Sequence, residues 1–101
     1  MTTQEFLNKY DSKELFTERE LRCIWCGDTN IEAEDIDEGI GERYRWVHVE
    51  WRVIKIQDRY FKIARMAANT EYQLDDYNRQ PLEVKPVQKT IVTWEASNGT
   101  I

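Results

Sequence analysis

Cys23 and Cys26 are the only cysteines of the chain, spaced C-x-x-C, and His48 is its only histidine. A C-x-x-C turn supplies half of a tetrahedral zinc site, and a structural site needs four ligands. The set here would have to be Cys23, Cys26, His48 and a carboxylate such as Asp28, an uncommon combination, so no metal is expected. Thioredoxin-type chemistry needs its reactive cysteine at a helix N-terminus, where the positive dipole end favours thiolate. Both cysteines fall in the last turn of an expected helix, the wrong end. In a reducing compartment the pair reads as small apolar groups or tolerated thiols. His48 lies between Val47 and Val49 with no nucleophile nearby. No G-x-S-x-G occurs, and Gly39 and Gly41 lack the lysine and the strand–loop–helix setting of a phosphate loop. Neither an enzyme nor a cofactor is expected.

Charge is the stronger signal. From Asp28 to Glu42 the chain carries seven acids (Asp28, Glu32, Glu34, Asp35, Asp37, Glu38 and Glu42) and no Lys or Arg. An acidic run is by default a solvated surface. Its spacing does not match a calcium-binding loop. Carboxylates strung along an extended or helical segment can, however, occupy sites meant for backbone phosphates, pairing with the Arg and Lys of a nucleic-acid-binding cleft. Residues 43–65 then hold seven of the fourteen bases, with Tyr44, Trp46, Trp51, Tyr60 and Phe61 among them. Bases interleaved with aromatics suit single-stranded nucleic acid, through Arg43, Arg45, Trp46, Arg52 and Tyr60. An amphipathic sheet gives the same pattern, and on a strand Arg45 and Trp46 point to opposite faces.

The elements that must position these residues follow from capping and periodicity. Thr2-x-x-Glu5 and Thr17-x-x-Glu20 are capping boxes, each opening a short helix. The first carries Phe6, Leu7 and Tyr10, the second Leu21, Ile24 and Trp25, and Gly27 is placed to end the second in a left-handed cap. From Glu42 the period becomes two, with Val47, Val49, Trp51 and Val53 on one face. Near Arg52–Lys55 the apolar character changes faces, which predicts a bulge or a strand passing between two environments. Residues 57–59 turn, "YFKIARM" returns as a strand, and Asn69 or Thr70 could cap a helical turn before Pro81. "LEVKPVQKTIVTWEA" alternates again, and the tail "SNGTI" is expected to fray. The expectation is an α+β fold, short N-terminal helices followed by an antiparallel meander of about three strands. Within a single domain spanning 1–101, residues 1–27 form the helical part and 28–42 the acidic segment. Residues 43–96 form the sheet, with an inserted loop or helix at 67–81.

At 101 residues, 41% hydrophobic and 12% aromatic, the chain suits one packed core rather than an acidic disordered segment. No apolar run approaches the ~20 residues that span a bilayer. The charged N-terminus is unlike a signal peptide, so an intracellular protein without a membrane partner is expected. The net charge of −5 weakens general binding to phosphate and favours basic partners.

From Phe16 onward the chain resembles a group of small proteins encoded by phages and prophages of Gram-positive bacteria. The carrying stretches are "FTERELRCIW", "ERYRWVHVEW", "DRYFKI", "TEYQLDDYNRQPLEVKPV" and "KTIVTWE". They cover about three quarters of the chain as short matches, and the C-x-x-C pair departs from the pattern. Some similar small acidic phage proteins are anti-CRISPR inhibitors, which bind the effector nuclease and block its DNA- or guide-binding surface. The resemblance therefore implies a host CRISPR effector nuclease as partner and the cytoplasm of the infected bacterial host as location. It brings no catalytic residues. The expected contacts are Glu32, Glu34, Asp35, Asp37, Glu38 and Glu42 on the nuclease's basic cleft, with Asp75 and Asp76 as a second patch. Direct nucleic-acid binding is the alternative. A small module that sequesters a host factor or repressor is the third reading.

Overall fold

The computed structural model describes residues 1–69, 75–88, 92 and 94. Both capping boxes form. Helix α1 (Thr3–Asp11) starts with the Thr2 hydroxyl accepting from Glu5 N–H, and α2 (Glu18–Cys26) repeats the arrangement with Thr17 and Glu20. Gly27 ends α2 at φ 74°, the left-handed conformation that costs an L side chain most and glycine least. The chain then runs back past the start of α1. There Asn30 N–H donates to the Met1 carbonyl (3.0 Å) and Glu32 N–H to the Thr3 hydroxyl (2.8 Å).

Among the described residues four antiparallel strands follow in spatial order β1-β2-β3-β4: β1 (Glu34–Arg43), β2 (Val47–Ile56), β3 (Arg59–Ala68) and β4 (Leu82–Val84). The architecture is α+β, two short helices followed by an antiparallel meander. The sheet begins earlier than its alternation suggested, at 34 rather than 43, because the acidic segment itself supplies the edge strand β1. The expected helical turn after Asn69 falls on 70–74, outside the described residues. Residues 75–81 form no helix, since Asp76 pairs in the extended conformation with Met66 through two 2.8 Å backbone hydrogen bonds. Of the expected last strand, Leu82–Val84 pairs with β3, while 89–91, 93 and 95–101, the tail included, lie outside the described residues.

The helices cover only half of one sheet face. Ile54 and Ile56 of β2 and Phe61 and Ile63 of β3 point at them and join Phe6, Leu7, Phe16, Leu21, Ile24, Trp25 and Tyr77 in the core. Phe61 is the hinge of this packing, edge-on to Phe6 (5.1 Å) and Tyr10 (5.0 Å). Further along the same face His48, Glu50 and Arg52 replace the apolar residues, and beyond the helices they form a polar network. Arg65 binds Glu50, Asp75 and the Tyr77 hydroxyl, and Arg52 donates to the Trp25 carbonyl (2.9 Å) while lying over its ring. The change of apolar face in β2 is thus a strand passing between two environments. β2 pairs with β3 in unbroken register, and the bulges lie in β1 instead.

Ion pairs tie the segments together. Arg59 bridges Asp11 of α1 and Glu83 of β4, and Lys9 holds Glu20. Hydrogen bonds from Arg59 hold the Asp11 and Glu83 carboxyls below their usual range, and the capping bond from Thr17 does the same for Glu20. Burial pushes Glu50 up, but hydrogen bonds from Arg65 and His48 outweigh it, so Glu50 too is lowered. A carboxylate whose folded pKa is depressed contributes stability above its unfolded value and loses it as pH falls through the folded one. The thermal midpoint should therefore be flat above about pH 5 and drop below about pH 4.5, the ordinary carboxylate range. A midpoint that rises on acidification would mean that repulsion among the β1 acids outweighs these pairs.

A candidate partner-binding edge

The sequence of β1, "EDIDEGIGER", is poor in strand formers, and Asp, Glu and Gly are depleted from strands generally. Its partner β2 holds it in place. Gly39 stands opposite Trp51, and a Cβ there would come within 2.5 Å of the indole; one on Gly41 would meet Val49 at 3.3 Å. The two glycines form a hollow that the Trp51 ring occupies. A large side chain at either position would push the indole away.

The register of β1 slips by one residue between Asp35 and Asp37, leaving Ile36 as the extra residue. Without that bulge Asp35 and Asp37 would share a face. With it, Glu34 and Asp37 stand beside Lys55 and Val53 on the face away from the helices, while Asp35 and Glu38 stand beside Ile54 and Arg52 on the helix side. The acids consequently flank the edge evenly on both sides. Every residue of β1 is exposed except half-buried Gly39. Among the described residues, Glu32, Glu34, Asp35 and Asp37 have no ion-pair partner within 4.0 Å, and Glu38 reaches Arg52 only at 4.0 Å. Glu32 continues the row at the start of α1, and Glu42 accepts a hydrogen bond from the Tyr44 hydroxyl.

Asp75 and Asp76 lie beside the outer edge of β3, across the sheet from β1. Asp75 is engaged within the fold, accepting from Ala68 N–H (2.8 Å) and Arg65 (3.2 Å), and Asp76 accepts from Asn78. The structure thus groups the acids of 32–42 and separates the other two from them.

The basic–aromatic residues are scattered. Arg45 stacks on Trp46 (4.7 Å) in the β1–β2 connection, Arg43 ends β1, Arg52 packs on Trp25, and Tyr60 lies on the face away from the helices. Of the seven bases between 43 and 65, Arg52, Arg59 and Arg65 hold internal hydrogen bonds or ion pairs, while Arg45, Lys55 and Lys62 lie over the rings of Trp46, Tyr60 and Trp51. The two thiols are free, Cys23 half-buried and Cys26 exposed at the end of α2. His48 contacts Asn69 (2.6 Å) and Glu50 (3.3 Å) instead. Among the described residues no group of three or more His, Cys, Asp or Glu could hold a metal ion, and no helix is long and apolar enough to cross a membrane.

β1 escaped sequence reasoning because its two isoleucines stand four apart and do not alternate. One signal was available: glycines at 39 and 41 match the spacing of Val49 and Trp51, the large residues they accommodate. No family model, curated protein or solved structure matches this chain.

Proposed function

We propose that this protein is an inhibitor that lays its acidic edge strand in the basic nucleic-acid-binding cleft of another protein. The target that the resemblance to phage proteins implies is a CRISPR effector nuclease in the cytoplasm of the infected host. The observation that carries the reading is the contrast between two sets of acids. Asp11, Glu20, Glu50, Asp75 and Glu83 are matched to Lys9, Arg59 or Arg65, whereas the acids of β1 stand exposed on an edge with at most one distant cation.

Line charge supports it. Glu34 to Glu38 is about 13 Å of strand at ~3.3 Å per residue, so its four carboxylates stand on average about 4.4 Å apart. One strand of B-DNA carries a charge every ~3.4 Å along its axis. An Arg- and Lys-lined cleft shaped for a phosphate row would meet a similar density of negative charge, with bidentate Arg–carboxylate pairs replacing Arg–phosphate ones. The acids also discourage a different use of the edge, since like charges oppose pairing with a second copy of β1.

The test is a cleavage assay in which the protein is titrated into guide-loaded CRISPR nucleases, with labelled single-stranded DNA as a parallel arm. Inhibition of a nuclease without a DNA shift is expected, and it should weaken as salt shortens the Debye length from ~10 Å at 0.1 M to ~3 Å at 1 M. A DNA shift with no inhibition would move the function to residues 43–65.

A further inference from the structure

The sheet face turned away from the helices shares only Glu34 and Asp37 with the edge reading. It carries Val47, Val49, Trp51 and Val53 from β2, with Ala64, Met66 and Ala68 beside them on β3. β4 adds Leu82, which is 60% exposed. None of these residues belongs to the core cluster, and among the described residues no helix or strand packs over them. Antiparallel sheets tolerate a wet face, but such a face is normally polar. This one is polar only at its hairpin end, where Glu34, Lys55 and Tyr60 form one cross-strand row and Asp37, Val53 and Lys62 the next.

We propose that this face is a homodimer interface, closed by the same face of a second copy of the chain. The argument is self-complementarity. Two sheets packed face to face and related by a two-fold axis must have that axis in the plane between them. An axis along β2 lays β1 of one copy over β3 of the other and keeps each cross-strand row in register with itself. In the Asp37–Val53–Lys62 row the acid on β1 then meets the lysine on β3 of the second copy, twice per dimer. In the Gly39–Trp51–Ala64 row the indole, lying on Gly39 with the Lys62 ammonium of its own chain 5.1 Å from its centroid, stands across from Ala64, large against small. The following row sets Met66 against the hollow at Gly41. A partner of a single charge would match only one side of this face, whereas a second copy matches both.

Size sets the concentration at which the dimer should appear. Three ten-residue strands present about 14 by 33 Å of surface, with β4 adding a margin. That is about 460 Å², below the ~600–1,000 Å² per partner that stable interfaces bury, so weak self-association at tens to hundreds of micromolar is expected. The reading is independent of the proposed target, because it is measured on the protein alone.

Sedimentation of the full chain from about 1 to about 300 µM should show a species of twice 12.2 kDa. Lys62→Glu and Asp37→Lys, each setting like charges against each other, should weaken the dimer at least about tenfold, and the double variant should restore it to within about threefold. Circular dichroism confirms folding in each case. A wild-type chain that stays monomeric throughout overturns the proposal. So does a dimer indifferent to the single charge reversals, or one that the double variant fails to restore.

Discussion

Replacing Glu34 and Glu38 with Gln, and Asp35 and Asp37 with Asn, should abolish inhibition while leaving the fold intact. The first half of this expectation is arithmetic. At ~1 kcal/mol for each charge pair at a partly desolvated interface, four pairs amount to about 4 kcal/mol, roughly a thousandfold in Kd. The second half rests on where the four acids stand. They are exposed, they are replaced by side chains of nearly the same shape, and only Glu38 approaches a cation, at 4.0 Å. Exposed substitutions of this kind stay within ~0.5 kcal/mol of the parent stability. Removing repulsion within β1 should, if anything, raise it. The comparison variant is Asp75→Asn, across the sheet. It gives up charge on the bonds from Ala68 N–H and Arg65, so it should lower the thermal midpoint and leave inhibition unchanged. Inhibition that persists in the fourfold variant would end the electrostatic mechanism. Loss of inhibition in Asp75→Asn at a temperature where the variant is folded would extend the contact surface to the opposite edge.

What could be read before the structure depended on whether the signal was local. The capping boxes at Thr2 and Thr17 and the left-handed Gly27 form as expected, because a hydroxyl, a glutamate three residues on and a glycine act within one or two helical turns. Phe6, Leu7, Leu21, Ile24 and Trp25 are buried for the same reason, their helical spacing fixing one face. β1 was not legible, since its strand conformation is imposed from outside by pairing with β2 and by Trp51 settling over Gly39 and Gly41. The division of the acids between two faces was hidden too, because it depends on a bulge at Ile36 that no residue type announces. In β2 both halves of the alternation were visible, but not which half the helices would cover. They cover Ile54 and Ile56, so the longer apolar row from Val47 to Val53 lies on the open face.

That placement of the core gives the largest expected change in stability, in Phe61→Ala. Phe61 is fully buried and touches both Phe6 and Tyr10 of α1, so it joins the sheet to that helix beside the Arg59–Asp11 ion pair. Truncating a buried Phe costs ~3–5 kcal/mol through lost transfer energy and the cavity left behind. The two edge-on aromatic pairs, each worth ~0.5–1.5 kcal/mol beyond their burial, put this site at the upper end. A 101-residue chain has about 5–15 kcal/mol in all at ~0.05–0.15 kcal/mol per residue, so the variant should lose a third of its stability or more. The denaturant midpoint should fall in proportion, and α1 should detach before the β2–β3 hairpin, visible as helical signal lost early. Val49→Ala supplies the contrast. Val49 is half-buried on the open face and outside the core, so at a concentration well below the dimer range, where the chain is monomeric, truncation should cost less than ~1 kcal/mol. If Val49→Ala cost as much as Phe61→Ala in the monomer, the open face would be part of the core. The homodimer would then lose its surface, and the acidic edge would be the one face left for a partner.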